Sequence, residues 1–215
     1  MGAHREHGVW EAIAHSFDRN RTRTWPHVER YLASLAQDSR VLDLMGGNGR
    51  HTRSILGTGL PATWLDWSRP AARIVAQRYP GAAAVVGDAT RLPLRDASFD
   101  ACIYVAGLHS LPSPAARVAS LAELRRVLRP GATAQVTVWS RDAPRFRPQG
   151  PAGEPLDVVL PWRSDGHDEP RTYHLYTPAT LDGDLQKAGF EVLALDAVAV
   201  VAPEPDNLVA VVRRP

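Results

Sequence analysis

The sequence predicts an α/β fold, a Rossmann-like seven-stranded mostly parallel sheet with helices on both faces, an N-terminal helical cap and an insertion after strand five. Three observations predict it. Short apolar runs alternate with segments of helical periodicity along most of the chain, the pattern of a parallel sheet built from crossover units. The apolar run 41–44 passes through Met45-Gly46-Gly47-Asn48-Gly49 into a polar segment, which reads as strand, tight turn and helix N-terminus. An acid, Asp66, follows Asp43 by 23 positions, at the end of a second apolar stretch, 61–65. Such a turn offers backbone N–H groups to a ligand, and an acid about 20 residues on suits a ribose hydroxyl pair.

The elements follow in order. Residues 9–37 read as two helices. Trp10, Ile13, Ala14 and Phe17 share one face of the first. Polar residues 18–24 then lead to a second, capped by Thr24 with Pro26 in its first turn. Val28, Tyr31, Leu32 and Leu35 are its apolar face. Strand one covers 40–45, a helix 49–57, and strand two 61–66. Ser68 caps a helix that reaches about Tyr79. Strand three is 82–87, and strand four is 101–105, ending at Ala106-Gly107-Leu108-His109. Residues 113–128 form an amphipathic helix with Val118, Leu121, Leu124, Val127 and Leu128 inside, stopped by Arg129-Pro130-Gly131. Strand five is 134–139. Residues 140–176 are rich in Pro and Arg and long for a structureless connection. A helix over 178–188 ends at Gly189, and strands 190–196 and 208–213 are expected as a hairpin. The whole chain, 1–215, reads as a single domain: cap 9–37, core 38–139, insertion or lid 140–176, C-terminal helix and strands 177–215.

Composition bounds the function. A chain of 215 residues with 44% hydrophobic and 22% charged content can bury a substantial core. It has no apolar run of about 18 residues, so no membrane span is expected. The first residues carry no apolar signal segment, which makes the cytoplasm the expected location. The single Cys102 lies in an apolar run and reads as a buried small hydrophobe. No metal site is expected. The net charge of +2 does not demand nucleic acid. Lys187 is the only lysine, and an arginine-dominated basic set suits phosphate and carboxylate.

The turn narrows the ligand. Thr52 stands where a dinucleotide fingerprint wants its third glycine, which argues against a nicotinamide oxidoreductase. Asp43 sits at the strand end, where it would repel a pyrophosphate and attract a cation. The arrangement resembles the first motif of class I S-adenosylmethionine methyltransferases, D-x-G-x-G-x-G, with Met45 in place of a glycine. That resemblance implies S-adenosyl-L-methionine as cofactor. It would be held by Asp43, Gly46, Gly47 and Gly49, by Asp66 on the ribose, by Asp88 and Ala89 at the adenine, and by Ala106.

The flanks resemble a narrower group. Arg23-Thr24-Trp25-Pro26, Val138-Trp139, Val158-Val159-Leu160-Pro161-Trp162 and Tyr173-His174-Leu175-Tyr176 together look like the tRNA wobble-uridine methyltransferases. These esterify the carboxylate of 5-carboxymethyluridine, and the likeness covers about residues 9–195. A carboxylate nucleophile is ionised at neutral pH, so catalysis there is mainly alignment. The resemblance implies Arg23, His109 and His174 as catalytic donors. It implies Arg21, Trp25, Trp139, Trp162, Arg163 and Tyr176 on the substrate, the aromatics stacking a flipped base. An anticodon loop would meet Arg19, Arg21, Arg141, Arg145, Arg147, Arg163 and Arg171. The resemblance also implies a small zinc-ribbon activator protein, joining the uncharged edge strand at 82–86. The alternatives are a methyltransferase of a small carboxylate or other metabolite, and a non-catalytic binding protein of the same fold.

Overall fold

The structure, a computed structural model, describes residues 8, 11, 18–19, 22–147, 154–164, 166–200 and 203–215. The first expected helix therefore lies mostly outside the described residues. The second is α1, Pro26–Ala33, with Trp25 rather than Thr24 at its N-cap and no side-chain cap bond. Thr24 instead donates its hydroxyl to Glu29, at 2.5 Å.

The core follows as β1 (Val41–Leu44), α2 (Arg50–Gly57), β2 (Ala62–Asp66), α3 (Arg69–Arg78), β3 (Ala82–Val86) and β4 (Phe99–Val105). Then come α4 (Pro114–Val127), β5 (Leu128–Trp139), β6 (Leu156–Ser164), β7 (His167–Leu175), α5 (Pro178–Lys187), β8 (Glu191–Val198) and β9 (Asn207–Arg213). Ser68 and Ser113 cap α3 and α4 by accepting from the N–H of Ala71 and Ala116. Each such cap is worth about 1 kcal/mol. Thr177 and Thr180 form a reciprocal capping box on α5.

Seven strands join in the order β3-β2-β1-β4-β5-β9-β8. The first five are parallel, and β9 runs antiparallel between β5 and β8. The expected hairpin of the last two strands is present, with β9 inserted next to β5. Alternation along β4 explains the layers. Cys102 and Tyr104 face one side, where Leu121, Leu124 and Val127 of α4 and Leu181 and Leu185 of α5 pack. Ala101, Ile103 and Val105 face the other, against Val28 and Leu32 of α1 and Ile55 of α2. Burying each of these large side chains contributes about 1.5–3 kcal/mol.

Two details depart from the sequence reading. In α4 the inward face is turned by one residue: Arg117 and Ser120 are buried while Val118 is only half-buried. The insertion is not a loose lid. Its β6 and β7 form a separate two-stranded antiparallel sheet, in which even Pro161 and Pro170 stand opposite each other. A two-stranded ribbon leaves each backbone with an unpaired edge, so proline is tolerated there. Among the described residues, no helix is long and apolar enough to cross a membrane.

Candidate active site

Strand order reverses between β1 and β4, and in such sheets ligands bind outside the carboxyl ends of the strands at that point. A cleft opens there, walled by Asp43, Met45, Gly46, Gly47, Asp66, Trp67, Ser68, Ile74, Ala106, Gly107 and Ser110, among others. Two non-glycine residues in its wall have left-handed backbones, Met45 with φ 52° and Ala106 with φ 56°. Such conformations cost about 1–3 kcal/mol each and cluster at functional sites.

The glycines serve the protein as much as any ligand. A β-carbon on Gly46 would sit 2.4 Å from Cδ1 of Trp64 and 2.9 Å from Cγ of Asp43. Glycine at 46 is thus what lets the Trp64 indole slide under the turn, where its Nε1 donates to the Gly47 carbonyl at 3.2 Å. Gly49 begins α2 with φ 75° and faces Val75 and Tyr79, away from the cleft.

Two carboxylates dominate the cleft. Asp43 is 1% exposed and accepts from the Thr52 hydroxyl at 2.6 Å. No ion pair reaches it among the described residues, and burial pushes its pKa up to about 7. Asp66 accepts from the Gly47 N–H at 3.1 Å and the Ser68 N–H at 3.0 Å, which locks its carboxylate at the end of β2. Trp67 and Ile74 supply an apolar wall beside it. A buried carboxylate outside any ion pair among the described residues, a fixed acid and an apolar wall fit a cationic methionine end, a ribose and a flat base in turn. Asn48, Arg50, His51, Ser68, Ala71 and Ser110 also line the cleft and were missed in the sequence. Only Trp67, directly after the acid, carried a readable signal.

Asp88 and Ala89 follow β3, whose carboxyl end stands beside that of β2. Asp88 is exposed and outside the cleft lining, with its Oδ1 accepting from the N–H and hydroxyl of Thr90. Ala89 is buried in the main core.

Next to Ser110 a second cluster begins. His109 is 1% exposed; its Nδ1 accepts the Trp139 N–H at 3.1 Å, so its proton sits on Nε2. That Nε2 is buried with no hydrogen-bond partner among the described residues. Burial first, then the charge of Arg145 and the neighbouring His174, bring its pKa down to about 3. It stacks on Trp139 with centroids 4.8 Å apart and touches Tyr173 at 5.5 Å. Arg145 lies over the Trp139 ring at 4.1 Å. His174 pairs with Asp157 at 2.7 Å and is edge-on to Tyr176, and burial lowers its pKa despite that acid.

Tyr176 is fully buried and donates to Asp184 at 3.1 Å, and Trp162 is buried under Arg171, so neither ring has a free face for a base. Arg141 and Arg171 are 1% and 8% exposed, and therefore not part of a basic surface. Arg163 is exposed beside Asp168 at 3.5 Å, and Arg147 pairs with Glu204 at 2.7 Å. Arg23 is exposed, without a hydrogen bond to the described residues. Trp25 is buried edge-on to His51, a cleft residue, with Arg50 over its ring. Arg21 lies outside the described residues. Gly46, Gly47, Asp43, Asp66 and Ala106 are brought together in the cleft.

Comparison with known proteins agrees with this geometry. A family described as a methyltransferase domain matches residues 42–135. The tRNA (carboxymethyluridine(34)-5-O)-methyltransferase ALKBH8 of Macaca fascicularis is 35% identical over 63% of this chain and 20% of its own length. The chain spans a fifth to a third of the length of the curated enzymes of that name. A putative methyltransferase of Encephalitozoon cuniculi is 30% identical over 87% of both chains. In structure, a putative Haloferax volcanii methyltransferase, solved in complex with the Trm112 activator, matches with TM-score 0.73. That match has 19% identity and covers 96% of this chain and 97% of that one. The fold, the switch-point cleft with its two acids and these relatives together make the chain a member of the class I S-adenosylmethionine-dependent methyltransferases, resembling within them the tRNA (carboxymethyluridine(34)-5-O)-methyltransferases.

Proposed function

We propose that this chain transfers the methyl group of S-adenosylmethionine to the carboxylate of 5-carboxymethyluridine at the wobble position of tRNA. One observation carries the reading. The segment that closes the cofactor cleft, with Gly107 and Ser110 in its wall, also carries His109, a buried neutral histidine whose Nε2–H has no partner among the described residues. A neutral donor suits this chemistry. It can orient a carboxylate oxygen without pairing so strongly that nucleophilicity is lost. The cofactor supplies an activated methyl group: the carboxylate oxygen bonds to the methyl carbon as the carbon–sulfur bond breaks, its electron pair staying on sulfur, giving ester and S-adenosylhomocysteine. No proton has to be removed, since the acid is already ionised.

In this reading Asp43 faces the ammonium end, Asp66 the ribose, and Gly46, Gly47 and Ala106 shape the wall. His109, with Arg23 and His174, serves the acceptor, and Trp139, stacked on His109 with Arg145 over its ring, forms the aromatic wall beside them. Arg145, over Trp139, and Arg19 are exposed arginines that an anticodon loop would meet. A zinc-ribbon activator would extend the sheet at β3, which among the described residues pairs with β2 alone and exposes Val86 at 43%. The single-domain boundaries and a cytoplasmic location belong to the same proposal. A second reading, a methyltransferase of a small carboxylic acid, is favoured by the burial of Arg141 and Arg171, which thins the basic surface.

The experiment is transfer of radiolabelled methyl to tRNA carrying 5-carboxymethyluridine, with and without a zinc-ribbon activator. Alkali-labile label in tRNA is the expected result. Label in small carboxylic acids but none in tRNA under either condition would overturn it in favour of the second reading.

A further inference from the structure

Arg117 is a buried cation that nothing so far uses. It lies on α4, three residues past the helix start, on the face that turns into the protein. It is 4% exposed. One Nη donates to the Leu111 carbonyl at 3.3 Å, and its Nε is buried with no hydrogen-bond partner. No carboxylate lies within ion-pairing distance of it among the described residues. Its guanidinium stands over the Tyr176 ring, 5.9 Å from the centroid. Asp184, at the hydroxyl of that same ring, is engaged by Tyr176 at 3.1 Å and by Lys187 at 3.6 Å.

A buried guanidinium without a counter-ion is unfavourable in a chain that merely folds, because one carbonyl and one ring face offset only part of the cost of burying the charge. An aliphatic side chain would fill the place better. The position also matters. Leu111, whose carbonyl Arg117 holds, directly follows Ser110 of the cofactor cleft and lies two residues past His109. The charge of Arg117 is felt by His174, and His174 in turn is felt by His109. The two unpartnered donors, His109 Nε2 and Arg117 Nε, thus belong to one neighbourhood behind the turn that forms the cleft wall, bounded by the His174–Tyr176 end of β7. At that edge the His174 side chain keeps 14% of its surface open.

We infer that Arg117 is the receptor for the acceptor's carboxylate, its guanidinium holding one oxygen while the other faces the methyl group. This rests on the carboxyl-methylation reading and adds the residue that selects an acid over its neutral amide. Arginine suits the task because its fork matches a carboxylate and its charge is permanent. Asp184, tied up by Tyr176 and Lys187, leaves that charge available to the ligand. His109 then adds a neutral hydrogen bond.

The test separates this inference from the reading beneath it. Wild type, Arg117→Lys and Arg117→Gln are compared for binding of tRNA carrying 5-carboxymethyluridine and of tRNA carrying the matching neutral amide, each with S-adenosylhomocysteine present. Wild type is expected to prefer the acid at least tenfold. Arg117→Gln is expected to lose that preference, and Arg117→Lys to keep part of it, with S-adenosylhomocysteine affinity unchanged in both. An unchanged acid-to-amide ratio in Arg117→Gln would overturn the inference, even if both tRNAs bind more weakly, since that is what a structural arginine gives. Where the variants do not fold, the 15Nε–H resonance of Arg117 in the wild-type protein is followed on adding 5-carboxymethyluridine nucleoside. A shift with the acid and none with the amide supports the inference; no shift with either overturns it. If the resonance shifts but no tRNA is methylated, the receptor stands and the tRNA reading falls. If tRNA is methylated and discrimination ignores residue 117, the reverse holds.

Discussion

The Tyr104 hydroxyl reaches the Met45 sulfur at 3.1 Å and Ser120 at 3.0 Å, so the one residue that breaks the glycine pattern of the cofactor turn is tied to the sheet beneath it. Met45 takes a left-handed backbone with φ 52°. The turn absorbs a β-carbon by accepting local strain, and the side chain is packed down beside Gly107 rather than across the cleft. A β-carbon on Gly107 would lie 2.8 Å from Cβ of Met45 and 2.8 Å from Cε2 of Tyr104. Met45 and Gly107 therefore behave as a size-matched pair.

That pairing predicts a double-mutant result. Gly107→Ala is expected to destabilise the protein by about 1–3 kcal/mol through overpacking. Met45→Gly removes one of the two clashes and the left-handed strain, so the double variant is expected to recover at least about 0.5 kcal/mol relative to additivity. Urea unfolding of the four proteins checks this; strict additivity would mean the two sites do not share the space. S-adenosylhomocysteine affinity of Met45→Gly is expected within a few-fold of wild type, measured calorimetrically.

Asp66→Ala is expected to weaken S-adenosylhomocysteine binding by tenfold or more. Its carboxylate fixes the N–H groups of both Gly47 and Ser68, so the loss includes the shape of the turn. Asp66→Asn keeps the shape partly and is expected to fall between. Equal affinity in all three proteins, by calorimetry, would remove Asp66 from the cofactor site.

Cofactor binding is expected to depend on pH through Asp43, whose pKa burial pushes up to about 7. A cationic ligand end favours the ionised acid, so binding below that pH expels a proton. Affinity for S-adenosylhomocysteine is expected to rise with pH up to about 7 and then level, by at most about tenfold per pH unit. Calorimetry in buffers of different ionisation enthalpy counts the proton. Asp43→Asn is expected to bind weakly and independently of pH, and a pH-dependent Asp43→Asn would assign the proton elsewhere.

Stability carries opposing pH terms. His27 at about 4, His109 at about 3 and His51, also well below its ordinary value, are kept neutral mainly by burial. The unfolded chain takes up protons near pH 6.5 that these three refuse, so stability falls as pH drops below that value. Between pH 7.5 and 5.5 the three together cost about 4 kcal/mol. Asp43 has the opposite sign. Its raised pKa favours the folded state at low pH and offsets about 2 kcal/mol over the same window. Urea melts are expected to show a net loss of about 2 kcal/mol in the wild type and more in Asp43→Asn. A wild type more stable at pH 5.5 would contradict the burial of these histidines.

If tRNA is the acceptor, Arg145→Glu is expected to weaken tRNA binding and lower the slope of log affinity against log salt by about one unit or more. Arg147→Glu is expected to do less, because Arg147 already pairs with Glu204. An unchanged slope for Arg145→Glu would remove the arginine over Trp139 from the binding surface.

The sequence by itself determined the sheet, the order of its elements and the position of the cleft. These rest on local signals: apolar runs of strand length, Ser68 and Pro70 opening α3, and glycines that end the strand at 44. Asp43 and Asp66 were readable because each lies at the carboxyl end of a strand, one residue before the last of β1 and the last of β2, and such ends in a parallel sheet converge on one crevice. What needed tertiary structure was every question of which way a side chain turns and what covers it. Periodicity assigned Val118 to the core, yet docking of α4 on the sheet and on α5 rotated Arg117 inward. Tyr176, Trp162, Arg141 and Arg171 read as surface groups along the chain, and the pairing of β6 with β7 and the fit of α5 buried them. Gly46 read as space for a ligand and proved to be space for Trp64, because a β-carbon's nearest neighbours come from distant segments. Local pattern depends on the residue and its near neighbours, whereas burial and pairing are sums over the whole packed chain.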